Sequence, residues 1–232
     1  MRTTALIVGA GRGERLGTAL AKQFQTCAGH PLAWHAMDAF CLSGEVDDLI
    51  VVLPDAADLE RYLGGASAWP LPVRAVAGGV ARQDSVAAGL ALLPADGLVL
   101  VHDAARPLLS GRVIRDVRRA AMVVGAAIPV LPCADTIKEV AGGRVRATLE
   151  RRHLVRVQTP QGFRVELLRR AHARARERGL QASDDAALVE GLGSPVAVVS
   201  GAEENFKVTQ GGDLLLVEAI LAGRNKKGEV SA

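Results

Sequence analysis

The 232 residues are 49% hydrophobic and 23% charged, with a formal net charge of +3. That balance supplies the core of one sizeable α/β domain and excludes a largely disordered chain, and no apolar run approaches the roughly 20 residues of a membrane-spanning helix. Three scattered cysteines without a CxxC pair and an aromatic content of 3% argue against a zinc site, a disulfide framework or a nucleic-acid surface.

In chain order, Thr4–Val8, Leu49–Leu53, Val73–Ala77, Leu98–His102 and Ala126–Val130 are β-rich runs bounded by Gly, Pro or Asp, and they read as strands buried on both faces. Helical patterns separate them at Pro31–Leu42, Ala56–Leu63, Asp84–Leu93 and Gly111–Val123. Pro31 suits a first helical turn and Asp55 an N-cap. This alternation predicts a doubly wound α/β fold with a mostly parallel sheet. After Pro132 the rhythm breaks: Thr136–Val140, a Gly142-Gly143 turn and Val145–Leu149 read as a β-hairpin. It forms an arm at about residues 133–158 of a single domain over 1–232. Its open edges predict a second copy as cover, hence a homodimer. Helices at Val165–Arg178 and Asp184–Leu192, a strand at Val196–Val199 and a helix at Asp213–Ala222 follow, and the chain then runs out in GRNKKGEVSA. We expect no fused second enzyme, no leader segment and a cytoplasmic location.

The first strand leads into Gly9-Ala10-Gly11-Arg12-Gly13-Glu14-Arg15-Leu16-Gly17. A dinucleotide fingerprint needs a third small residue, but Glu14 or Leu16 stands there, and no acid closes the second strand. A P-loop needs Gly-Lys-Ser/Thr, whereas Gly17 is followed by Thr18 and the next lysine is Lys22. What remains is a turn whose N–H groups face an anion flanked by Arg15 and Lys22, suited to a triphosphate attacked at its α-phosphorus. A surface loop with two solvated charges is the alternative that this stretch alone leaves open.

Further stretches bear on that choice. In GGVARQDSV, Gly78-Gly79 is followed by Arg82, Asp84 and Ser85 at a helix start, able to set backbone groups and a hydroxyl beside a base or ribose. In VHDAARP, Asp103 lies just beyond the carboxyl end of a buried strand and close to Arg106, where a carboxylate can hold Mg²⁺ against phosphate oxygens. A helix cap or an ion pair is the other reading of Asp103, and His102 reads as a strand-end hydrogen bonder. Arg151 in RRHLVRVQTPQGF and Lys207 in NFKVT suit a second anion, and Ser183 in ASDDAALVE reads as a helix cap.

Together these stretches, which span almost the whole chain, resemble the 2-C-methyl-D-erythritol 4-phosphate cytidylyltransferase family, with VHDAARP and QTPQ the most telling. The resemblance implies a Rossmann-like nucleotidyltransferase fold. It implies transfer of CMP from CTP to methylerythritol phosphate with release of pyrophosphate, a Mg²⁺ cofactor, and a homodimer whose arms exchange. By that resemblance Arg15 and Lys22 stabilise the transition state, and Arg151 and Lys207 position the attacking phosphate. Ala10, Gly11, Gly79, Asp84 and Ser85 surround the nucleotide, and Asp103 holds the metal. Arg106, Thr136, Thr159 and Ser183 contact the acceptor, with Thr136 and Arg151 acting across the dimer. A phosphate is already a nucleophile, so the lack of a Ser-His-Asp or Cys-His set is expected. The chain departs from the family pattern at Gly9, Ala21, Ser183 and Gly211-Gly212; Gly9 and Ala21 are expected to loosen the backbone presenting Lys22. Two other readings stay open: a ribitol 5-phosphate cytidylyltransferase and a non-catalytic nucleotide-binding regulator.

Overall fold

Leu6, Ile7, Leu49–Leu53 and Leu98–Val101 are buried on both sides of their strands, which is what near-continuous apolar runs produce when helices cover both sheet faces. The computed structural model describes residues 1–11 and 20–230, with side chains through Arg224. Strand β1 (Thr3–Val8) is followed by a 3₁₀ turn at Lys22–Phe24, a short ribbon of β2 (Thr26–Cys27) and β3 (His30–Pro31), and α1 (Leu32–Ser43). Then come β4 (Asp48–Leu53), α2 (Asp58–Leu63), β5 (Val73–Ala77), α3 (Arg82–Ala91), β6 (Leu98–Asp103), α4 (Gly111–Val124) and β7 (Ala126–Pro132). The chain continues through β8 (Ile137–Ala141), β9 (Arg144–Leu149), β10 (Val155–Val157), β11 (Gln161–Arg164), α5 (Val165–Glu177), α6 (Asp185–Glu190), β12 (Ala197–Ser200) and α7 (Gly211–Val230).

The main sheet runs β5-β4-β1-β6-β11-β7, with β12 on the far edge of β7 and β10 beside the carboxyl half of β7. Side chains alternate between two cores. Ile7, Val51 and Leu100 face α1 and α4 with Met37, Phe40 and Val117, while Leu6, Val52 and Val101 face α3 and α5 with Val86, Leu90 and Leu168. Each such fully buried side chain is worth about 1.5–3 kcal/mol. A third cluster of Cys27, Leu32, Leu108, Val208 and Val217 seats α7.

β4 and β5 lie on one side of β1, and β6 lies on the other, all parallel. The direction of winding therefore reverses between β1 and β6, and the register sets Val8 beside Asp103 at their carboxyl ends. Open α/β sheets bind ligands at such a point.

The sheet is mostly parallel, as expected, but two strands escaped the sequence reading. β11 runs antiparallel to both β6 and β7 and separates them, and β10 runs antiparallel to β7. Gln161-Gly162-Phe163-Arg164 has neither β-branched residues nor clean alternation. Its Gly162 instead lets α4 approach, since a Cβ there would lie 2.8 Å from Val117 Cγ1. The hairpin forms as β8 and β9, closed by Gly142 and Gly143 with φ of 57° and 73°, the two left-handed residues of a type I′ turn. Asp55 is not the cap of α2: the helix starts at Asp58, and Asp55 Oδ1 accepts the Ala57 N–H at 3.0 Å in a local turn.

Candidate active site

Asp103 closes β6 at the switch point, 8% exposed, and cations meet it from three sides. Lys207 Nζ lies 2.8 Å from Oδ2, Arg82 Nε 3.2 Å from Oδ1, and Arg106 Nε 3.9 Å from Oδ2. Burial favours the protonated acid, but Lys207, Arg82 and Arg106 outweigh it and hold the carboxyl well below the usual carboxylate range. Arg82 is charged for the mirror-image reason. Burial opposes its charge, and Asp185 and Asp103 overrule it.

Neutral hydrogen bonds fix the strand end around that carboxylate. His102 is fully buried, and burial pushes its imidazole down to about 4. Its Nε2 lies 3.1 Å from the Arg106 carbonyl, which only accepts, so the neutral ring carries its proton there. Nδ1 then accepts from the Thr159 hydroxyl at 3.0 Å, and the same hydroxyl oxygen accepts the Asp103 N–H at 3.2 Å. Asn205 joins the next segment: its Nδ2 donates to the Thr159 carbonyl at 2.8 Å, and its own carbonyl accepts from Arg106 Nη1 at 2.7 Å. Gln158 Nε2 donates to that carbonyl as well, at 3.2 Å.

These bonds bring the late NFKVT segment onto the early part of the chain. The Val208 N–H donates to the Ala105 carbonyl at 2.8 Å, and Lys22 Nζ donates to the Val208 carbonyl at 2.7 Å. Lys22, far from Lys207 in sequence, thus bonds to the backbone of the residue that follows it. Arg15 belongs to residues 12–19 and lies outside the described residues, as does the middle of the first glycine loop.

The two glycine turns pack against each other. A Cβ at Gly78 would overlap that of Ala10 and come within 2.7 Å of Ser85 Oγ, so only glycine permits the contact, whereas Gly11 has open space. The Gly79 N–H donates to Ser85 Oγ at 3.1 Å, Ser85 Oγ donates to the Ala81 carbonyl at 3.1 Å, and Asp84 Oδ2 accepts the Ala81 N–H at 3.1 Å. Ser85 and Asp84 shape the turn in which Gly79 sits.

Ser183 is not the cap of α6. Asp184 takes that place, its Oδ1 accepting the Ala187 N–H at 3.1 Å and its Oδ2 accepting from Gln161 Nε2 at 2.7 Å. Its two carboxylate oxygens make both bonds at once, which a single hydroxyl does not, and Ser183 precedes it. Thr136 and Arg151 come together at the foot of the arm, lining a cavity of about 290 Å³ with Thr148, Leu149 and Glu150, and Arg151 donates to the Ala134 carbonyl.

Among the described residues no three His, Cys, Asp or Glu side chains cluster as a metal cage. An ionised Asp103 offers one protein oxygen, which fits Mg²⁺, an ion that keeps several waters and takes its remaining ligands from substrate phosphates.

Comparison with known proteins decides the family. The model described as IspD, 2-C-methyl-D-erythritol 4-phosphate cytidylyltransferase, matches residues 3–223. The chain belongs to this cytidylyltransferase family. It is 44% identical to the 2-C-methyl-D-erythritol 4-phosphate cytidylyltransferase of Pelotomaculum thermopropionicum, covering 96% of this chain and 95% of that one. It is also 46% identical to the bifunctional enzyme IspD/IspF of Solidesulfovibrio magneticus, of which it spans 56%. The crystal structure of the cytidylyltransferase from Thermus thermophilus superposes with a TM-score of 0.79 at 40% identity, over 95% of this chain and 98% of that one.

Two departures from the cytidylyltransferase pattern have structural explanations. Gly9 leaves room for Ala104, whose Cβ would stand 3.0 Å from a Cβ added at Gly9. Ala21 keeps φ at −59°, the angle proline itself would impose before Lys22. Arg82 in GGVARQDSV and Asp185 in ASDDAALVE are site residues that carry no role from the sequence alone. Their signal was one unassigned cation and one unassigned anion in two such stretches.

Proposed function

We propose that the protein transfers CMP from CTP to 2-C-methyl-D-erythritol 4-phosphate in isoprenoid-precursor synthesis. An oxygen of the acceptor phosphate attacks the α-phosphorus of CTP in line, the bond to the β-phosphate oxygen breaks, and pyrophosphate leaves. The observation that carries this reading is the tie of Lys22 to the segment that brings Lys207 onto Asp103 at the carboxyl end of β6. Two polyanions can approach each other only where positive charge comes from both sides.

In this reading Arg15 and Lys22 neutralise charge that grows on the α-phosphoryl and leaving oxygens, and Lys207 with Arg151 orients the attacking phosphate. Ala10, Gly11 and Gly79 border the nucleotide, with Asp84 and Ser85 holding the Gly79 turn in shape. Arg106, Thr136, Thr159 and Ser183 surround the acceptor. Asp103 would hold Mg²⁺, which supplies charge neutralisation at the phosphate oxygens when bound. The working form is a homodimer covering the arm, whose Val140 and Val145 are 61% and 62% exposed. The three free cysteines, two of them with thiols pushed up to about 11 by burial, suit the reducing cytoplasm.

Pyrophosphate release from CTP, measured with each acceptor, tests the reading. Methylerythritol phosphate should be turned over only with a divalent metal, so that EDTA abolishes turnover and added Mg²⁺ restores it. Lys22→Ala should lower kcat by about 10²–10³-fold, the scale of one lost transition-state donor. Preference for ribitol 5-phosphate, or equal near-background rates for wild type and variant, would overturn it.

A further inference from the structure

We infer that Arg82 is a positioning residue that clamps Asp103 through Oδ1 and leaves Oδ2 as its working oxygen. The inference rests on the proposed transfer reaction. Arg82 opens α3 and reaches two carboxylates at once, with Nε 3.2 Å from Asp103 Oδ1 and Nη1 2.7 Å from Asp185 Oδ2. Asp185 is 1% exposed and held on every side: His172 Nε2 lies 3.2 Å from its Oδ1, and its N–H donates to Gln161 Oε1 at 3.1 Å. A guanidinium anchored to so fixed a carboxylate is itself fixed, and its planar fork transmits that fixity to Asp103.

The surroundings of Oδ2 are built differently: Arg106 Nε stands 3.9 Å away, beyond hydrogen-bond reach, and Lys207 alone bonds to it among the described residues. Lys207 reaches Oδ2 on a flexible stem whose side chain is 41% exposed, and it makes a single contact there. One oxygen of Asp103 is therefore pinned and the other is exchangeable. Arg82 also joins three parts of the site: the helix behind the Gly78-Gly79 turn, the end of β6, and the start of α6 next to Ser183. Removing it frees the Asp103 carboxylate to rotate and uncouples the nucleotide side from the acceptor side.

The test uses the full-length enzyme. Arg82→Gln should bind CTP with wild-type affinity by calorimetry yet lose on the order of 10- to 100-fold in kcat, the cost of a misplaced reacting geometry. Arg82→Lys, with charge but no fork, should recover less than half of that loss. In an Asp103→Asn background Arg82→Gln should cost nothing further. Asp185→Asn, nearly isosteric and able to keep the fold, should reproduce the kcat loss without adding to that of Arg82→Gln. Wild-type kcat in folded Arg82→Gln or Asp185→Asn, or full additivity with Asp103→Asn, overturns the inference. Because wild-type turnover is measured first, failure of these variants is distinct from failure of the proposed reaction.

Discussion

At neutral pH His102 is a hydrogen-bonding spacer, with its imidazole held down at about 4 by burial. In the unfolded chain the same ring takes up a proton near 6.5. Between those values the unfolded state binds more protons than the folded state, so stability falls as pH drops through that window, by up to about 1.4 kcal/mol per pH unit. Asp103 acts lower on the scale. Its folded pKa is depressed, so its contribution is present above 3.8 and is lost as pH falls below that value. Urea unfolding at pH 7, 5.5 and 4.5 should show the decline, and His102→Gln should flatten it between 6.5 and 4; an unchanged slope would clear His102 of the effect. The placement of Asp103 was legible in the sequence, because the apolar run of β6 ends there. Arg82 was not, because its partners stand 21 and 103 positions away and only folding brings them together.

Among the elements, the strands with near-continuous apolar runs were readable from composition, and so was the Gly142-Gly143 hairpin from its turn chemistry. β11 was hidden, since its place between β6 and β7 is set by what packs on it. Gly162 is the point of closest approach: a Cβ there would meet Val117 Cγ1 at 2.8 Å and both Ala121 Cβ and Leu100 Cδ2 at 3.1 Å. Gly162→Ala should therefore cost about 1–3 kcal/mol in denaturant unfolding, the usual penalty for overpacking. A wild-type midpoint would mean that α4 yields easily. The same strand carries Gln161, whose side chain holds the start of α6 by three hydrogen bonds, so displacement of β11 should reach Asp184 and Asp185.

For the molecule as a whole, Thr136 and Arg151 sit at the foot of the arm, while Lys207 and Asp103 sit at the end of the sheet. If the arm completes the site of a second copy, Arg151→Ala and Lys207→Ala are each inactive alone but complement each other in mixed dimers. Half the dimers in an equal mixture are hybrids with one intact site, so about a quarter of wild-type activity should return. No recovery would place Arg151 in the site of its own chain. The hairpin was visible in the sequence through its Gly-Gly turn, whereas its contacts beyond this chain depend on geometry that no linear pattern encodes.

The tie between the Val208 N–H and the Ala105 carbonyl has a consequence for biogenesis. Every strand of the sheet, through β12, leaves the ribosome before Lys207 does. A nascent chain can thus complete its sheet while Asp103 still lacks its lysine partner. The segment that partners Asp103 and Ala105 is therefore a late arrival, docking on strands that have all been synthesised before it.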